Sequence, residues 1–196
     1  MSASPLLQAL EPVVRVFEAL GIAYYIGGSV ASSAYGIARA TLDVDLVADI
    51  SGHQIKPLAN QLRDNYYIDE DRVGDAVSLR SSFNLIHLES MIKVDVFVVR
   101  NRSYDRLALT RARSESLDEA QPDIRFYFAS PEDVILNKLD WYRQGGGVSE
   151  RQWNDVLGIF KAQQSAVDIG YLRRWAHELG LSDLLLRALQ EAGMSA

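Results

Sequence analysis

The chain has 196 residues, 48% of them hydrophobic and 23% charged, with a net charge of −6 and no cysteine. That length suits one domain, or one domain with a helical extension. The lack of cysteine excludes disulfides, thiol nucleophiles and thiolate metal sites and fits a reducing cytosol, and the acidic balance argues against non-specific nucleic-acid binding, which depends on cations meeting phosphates.

Residues 5–20 read as a first helix, with Leu6, Leu10, Val13, Val14, Phe17 and Leu20 at helical spacing and Gly21 as its stop. Glu11 and Arg15 break its apolar run, and no basic stretch leads it, so it reads as amphipathic and not as a signal peptide. Further on, no apolar run reaches the roughly 18 residues that a membrane helix needs. No membrane partner is expected, and the expected location is cytoplasmic.

A short strand is predicted at 23–26, then a turn at Gly27 and Gly28, a helix from Ser29 to about Gly36, and a strand at 42–48. Residues 52–64 look helical. From 66 to 99 the pattern is β, with strands predicted at 66–68, 76–79, 83–88 and 92–99, and one more at 126–129. Between them, Arg100, Arg102, Arg106, Arg111 and Arg113 face a single acid, Asp105. This run is either a solvated basic face or a dock for a polyanionic acceptor. After 130 the pattern turns helical. Ser130, Pro131, Glu132 and Asp133 combine a cap, a first-turn proline and first-turn acids. That helix should stop at Gly145, Gly146 and Gly147, and others follow over about 149–162, 168–179 and 182–192.

The informative stretch is 26–50. Alternate residues of a strand share a face, so Asp43 and Asp45 point the same way from an apolar strand. Two adjacent carboxylates repel, and burying them without a partner is costly. A divalent cation relieves both problems, and carboxylate oxygens suit Mg²⁺ or Mn²⁺. Gly27 and Gly28 allow close backbone approach, and the helix that follows offers free N–H groups and a hydroxyl, Ser29, to an anion. In IKVDVFVV, Asp95 shares a face with Lys93 and Phe97. If that strand neighbours 42–48, Asp95 adds a third carboxylate, and such a cluster suits two-metal phosphoryl chemistry.

These motifs resemble the DNA polymerase β-like nucleotidyltransferase superfamily. The string GGSVASSAYGIARATLDVDLV is similar to small bacterial nucleotidyltransferases, among them the AbiEii-like toxins of toxin–antitoxin systems. The resemblance covers about residues 20–100. It also takes in SPEDVILNKLDWYRQGGGVSERQWNDVLGIF, in which Lys138 and Asp155 match two further motif positions. Arg39 and Thr41 match as well, as residues that orient the loop or touch phosphate. The residues themselves leave both later positions open. Lys138 lies on an apolar stripe, where its ammonium either snorkels to solvent or reaches triphosphate. Asp155 flanks the stripe of Trp153, Val156, Leu157 and Phe160, where a salt bridge is the plain alternative. His53, His87 and His177 have no ligand spacing and read as structural or surface residues, none of them a catalytic base. Trp141, Trp153 and Trp175 read as core.

The resemblance implies an α+β fold, with a nucleotidyltransferase-type mixed sheet and flanking helices over 1–129 and a C-terminal α-helical part over 130–196 packed on that core. It implies a Mg²⁺- or Mn²⁺-dependent enzyme that moves a nucleoside monophosphate from an NTP to a hydroxyl. The acceptor is an RNA 3′ end, a protein side chain or a small molecule, and a toxin role implies an antitoxin partner. Asp43, Asp45 and Asp95 are then metal ligands and catalytic with Lys138 and Asp155. Gly27, Gly28, Ser29, Arg39, Thr41 and Lys138 bind the nucleotide. The alternative is a non-catalytic module that holds a nucleotide or a partner.

Overall fold

The computed structural model describes residues 4–37, 41, 43–117, 123–164 and 166–194. They group into two compact units, Met1–Gly27 with Thr41–Phe128, and Gly28–Ala40 with Ala129–Ala196. Arg39 lies outside the described residues.

The first unit is built on one mixed sheet. Its strands are β1 (Tyr24–Ile26), β2 (Asp43–Ala48), β3 (Tyr66–Tyr67), β4 (Ser82–His87), β5 (Lys93–Val98), β6 (Arg113–Ser116) and β7 (Arg125–Phe128). Among the described residues the sheet has seven strands, in the order β3-β4-β5-β2-β1-β7-β6. At its centre β2 runs parallel to β5 and antiparallel to β1. Alternation sorts these central strands by face. Val44, Leu46, Ala48, Val94, Val96 and Val98 are buried, while Asp43, Asp45, Lys93 and Asp95 are not.

Helices α1 (Pro5–Ala19), α3 (Ile55–Leu62) and α4 (Glu70–Leu79) belong to the same unit. Helix α1 buries Leu7, Leu10, Val13, Val14 and Phe17, and Tyr66 donates its hydroxyl to the Ala9 carbonyl at 2.9 Å. Each such side chain contributes about 1.5–3 kcal/mol on leaving water. One face of the sheet is therefore bound to be apolar, and the other is left to carry charge.

One predicted element needs correction here. Residues 76–79 are the end of α4 and not a strand. Asp69 caps that helix by accepting from the Arg72 N–H, Glu70 and Asp71 occupy its first turn, and Val73 and Ala76 bury one face. Arg80 closes it in the left-handed region at φ 51°. Helical capping and the i, i+3 pattern outweighed the short apolar alternation. The basic run at 100–113 contains a further helix, α5 (Ser103–Thr110), and leads into β6. There Arg102 makes a two-pronged bond to Asp105, at 2.7 and 2.8 Å.

The second unit is helical: α2 (Gly28–Tyr35), α6 (Pro131–Gln144), α7 (Glu150–Gln163), α8 (Ile169–Glu178) and α9 (Ser182–Glu191). Ser130, Ser149 and Asp168 cap α6, α7 and α8 through their side chains. Gly145 ends α6, and Gly146 and Gly147 take φ of 77° and 74°, which glycine adopts without strain. Three turn glycines in a row therefore act as the helix stop. The buried acids at the start of α6 are satisfied by α8 and its cap. Tyr171 donates to Asp133 at 2.7 Å, and the Asp168 N–H donates to Glu132 at 3.0 Å. Trp153 and Trp175 are buried as expected, but Trp141 is 50% exposed and not core.

Candidate functional site

In the first unit the candidate residues come from two paired strands. The β2–β5 register sets Asp43 opposite Lys93 and Asp45 opposite Asp95. Paired strands lie about 4.8 Å apart, so the expected neighbourhood of Asp95 and the D-x-D strand is present. On the other side of β5, Asn84 of β4 pairs with Asp95 in register, and its side-chain amide donates to Asp95 Oδ1. Lys93 Nζ lies 2.8 Å from Asp95 Oδ2.

The charge on this face is shared by the whole group. The hydrogen bond to Asp95 is the largest influence that raises the Lys93 pKa above the ordinary lysine value. Partial burial opposes it, and the charges of Asp95, Asp43 and Asp45 add to it. Among the described residues, no three His, Cys, Asp or Glu side chains form a group that would hold a metal as they stand. Asp95 is engaged by Lys93 and Asn84. The donor chemistry nevertheless fits a hard divalent cation. All three candidate ligands offer carboxylate oxygen, and together they already attract the one cationic side chain on that face of β5.

Two residues brace this strand. The Gly27 N–H donates to the Asp45 carbonyl at 2.9 Å, extending the β1–β2 ladder beyond Ile26. Thr41 Oγ1 donates to the Asp43 carbonyl at 3.1 Å and accepts from the Asp43 N–H at 3.4 Å. Of the two roles open to Thr41, orienting the chain is the one this geometry displays.

In the second unit, Gly28 opens α2 at φ 53°, a left-handed conformation that favours glycine. The Ser29 hydroxyl accepts from the Arg151 guanidinium at 3.0 Å. Arg151 was not singled out from the sequence. Its signal was there: it lies four residues before Asp155, and residues at that spacing share a helix face. Lys138 and Asp155 meet each other, with Nζ 2.7 Å from Oδ2 and side chains only 6% and 10% exposed. Ser32 of α2 donates to the same Asp155 oxygen at 3.3 Å. The salt bridge weighed for Asp155 is thus real, and its partner is the lysine singled out alongside it. His87 is buried beside Tyr66 and bonded to Ser90, while His53 and His177 are exposed.

No family model matches the chain, and no curated protein does. Solved structures do. A crystal structure of an antigenic nucleotidyltransferase-like protein from Paracoccidioides brasiliensis superposes with a TM-score of 0.60. It covers 98% of this chain and 93% of that one at 19% identity. ANT(2″)-Ia, crystallised in complex with adenylyl-2″-tobramycin, superposes with a TM-score of 0.56. That match covers 94% of this chain and 98% of that one at 12% identity. The fold is that of the nucleotidyltransferases. At these identities the likeness establishes the fold and leaves activity to be argued from the residues. The α+β class expected from the sequence is the one observed, with a mixed sheet and flanking helices.

Proposed function

We propose that the protein is a metal-dependent nucleotidyltransferase that moves a nucleoside monophosphate from an NTP to a hydroxyl acceptor. The observation that carries this reading is the in-register pairing of Asp45 with Asp95, with Asp43 two residues along β2, on a nucleotidyltransferase fold. Asp43, Asp45 and Asp95 are the residues assigned to Mg²⁺ or Mn²⁺, and when bound the ion supplies charge neutralisation at the phosphates.

The chain's own contribution is positioning and electrostatics. Gly27 and Thr41 hold the D-x-D strand in place through its backbone. Gly28, Ser29 and Arg151 are assigned to phosphate, since a helix start, a hydroxyl and a guanidinium are anion-binding groups. Lys138 and Asp155 fix α6, α7 and α2 relative to one another and are assigned to nucleotide binding through that scaffold. Arg39 is assigned to phosphate on the motif match alone. In the transfer, the acceptor oxygen bonds to the α-phosphorus, the α–β phosphoanhydride bond breaks, and pyrophosphate leaves.

The acceptor assigned is an RNA 3′ end or a protein hydroxyl, in a toxin paired with an antitoxin, on the resemblance of 27–47 and 130–160 to AbiEii-like enzymes. The adenylylated tobramycin bound to ANT(2″)-Ia brings a small-molecule hydroxyl in as the other acceptor class. The experiment is incubation with Mg²⁺ and each α-³²P-labelled NTP, with bulk RNA and cell protein as acceptors and the Asp43→Asn/Asp45→Asn variant alongside. Label that moves to RNA or protein with wild type only supports the reading and names the acceptor. Equal labelling by the variant contradicts it.

A further inference from the structure

Lys93 precedes Asp95 by two residues on β5, on the same face, and stands opposite Asp43 in the β2–β5 register. Its ammonium is 2.8 Å from Asp95 Oδ2, while the Asn84 amide occupies Oδ1. Both oxygens of Asp95 therefore already have a donor. We propose that Lys93 is the resident counter-ion of this carboxylate face, competing with a divalent cation for Asp95 and leaving Asp95 when that cation binds. The inference rests on the metal reading given above.

Of the two donors on Asp95, the lysine is the one built to leave. Its side chain is 43% exposed, against 15% for Asp95, and its charge rides on a flexible four-carbon stem. Asn84 is exposed as well, but its amide sits on a short side chain directly opposite Asp95 in the β4–β5 register, so it has fewer bonds to rotate about than the lysine stem. An ion pair with one partner this exposed is weak, so a divalent ion displaces it at modest cost. An ammonium released beside metal-bound polyphosphate meets negative charge again. Lys93 should therefore oppose binding of the metal alone and not binding of the metal together with a triphosphate. This makes Lys93 a positioning residue that couples the two ligands.

The test is Mn²⁺ binding to the full chain, followed by electron paramagnetic resonance, with and without a non-hydrolysable NTP analogue. The variants are Lys93→Met, Lys93→Gln, Lys93→Arg and Asp43→Asn/Asp45→Asn. Lys93→Met and Lys93→Gln should each bind Mn²⁺ alone roughly fivefold more tightly than wild type, the equivalent of one exposed ion pair. The analogue should then enhance Mn²⁺ binding less in these variants than in wild type. Lys93→Arg should behave as wild type. A purely structural lysine would give weaker metal binding on removal, the opposite sign. If wild type binds Mn²⁺, Asp43→Asn/Asp45→Asn abolishes it, and both neutral Lys93 variants bind equally or more weakly, the inference is overturned while the metal reading stands. If neither wild type nor the variants bind Mn²⁺, both fall.

Discussion

Lys138 and Asp155 are 17 residues apart, on different helices, and form one buried ion pair. Removing one partner of such a pair strands a charge in a poorly solvated place. Lys138→Met or Asp155→Leu alone should lower the unfolding free energy by about 3–5 kcal/mol in urea titrations. The double variant should lose much less than the sum, because it strands nothing. Nucleotide binding separates scaffold from function. If the pair also serves the nucleotide, the double variant stays folded yet binds NTP poorly. If the pair is scaffold only, binding returns with stability. Lys138 and Asp155 were each legible as polar residues beside an apolar stripe. That they pair was not, since helical periodicity places a residue on a face and carries no record of what another helix brings to it.

Close approach between helices explains a glycine that no motif requires. A Cβ on Gly36 would lie 3.0 Å from the Ile159 nitrogen and 3.1 Å from the Gly158 carbonyl carbon, both backbone atoms of α7. Backbone cannot step aside as a side-chain tip can, so Gly36→Ala should destabilise the protein by about 1–3 kcal/mol, read as a lower midpoint in denaturant. Helices α7 and α9 supply a pH-dependent tie. Glu191 accepts from the Trp153 indole N–H at 2.7 Å and from Arg187 at 2.8 Å. Those bonds, Trp153 first, lower its carboxyl pKa below the ordinary value. A carboxylate with a depressed folded pKa stabilises above its unfolded pKa and loses that contribution as pH falls through the folded one. Glu191→Gln should therefore melt below wild type at neutral pH, and the gap should close on acidification. A constant gap would assign the difference to packing.

For the molecule as a whole, what the sequence made legible follows from periodicity and local chemistry. The D-x-D strand, the glycine pair and the Pro131 helix are written within a few residues each, and they fold as read. The side of the sheet that carries Asp95 was legible from alternation in IKVDVFVV. The Lys93–Asp95 pair was less so, because that lysine reads from sequence only as a neighbour on the face. The strand expected at 76–79 failed where capping by Asp69 and the left-handed Arg80 decided the conformation, and β6 was hidden by the arginines around it. The helix α2 grouped with the C-terminal helices, a long-range association that no local pattern records. Pyrophosphate release reads out the chemistry assigned to Asp43 and Asp45. Wild-type protein with NTP, Mg²⁺ and the acceptor identified by labelling should release pyrophosphate, and Asp43→Asn/Asp45→Asn should lose at least about a hundredfold in rate while remaining folded. Mg²⁺-dependent NTP binding without pyrophosphate release with any acceptor class, or release undiminished in the variant, would contradict the account.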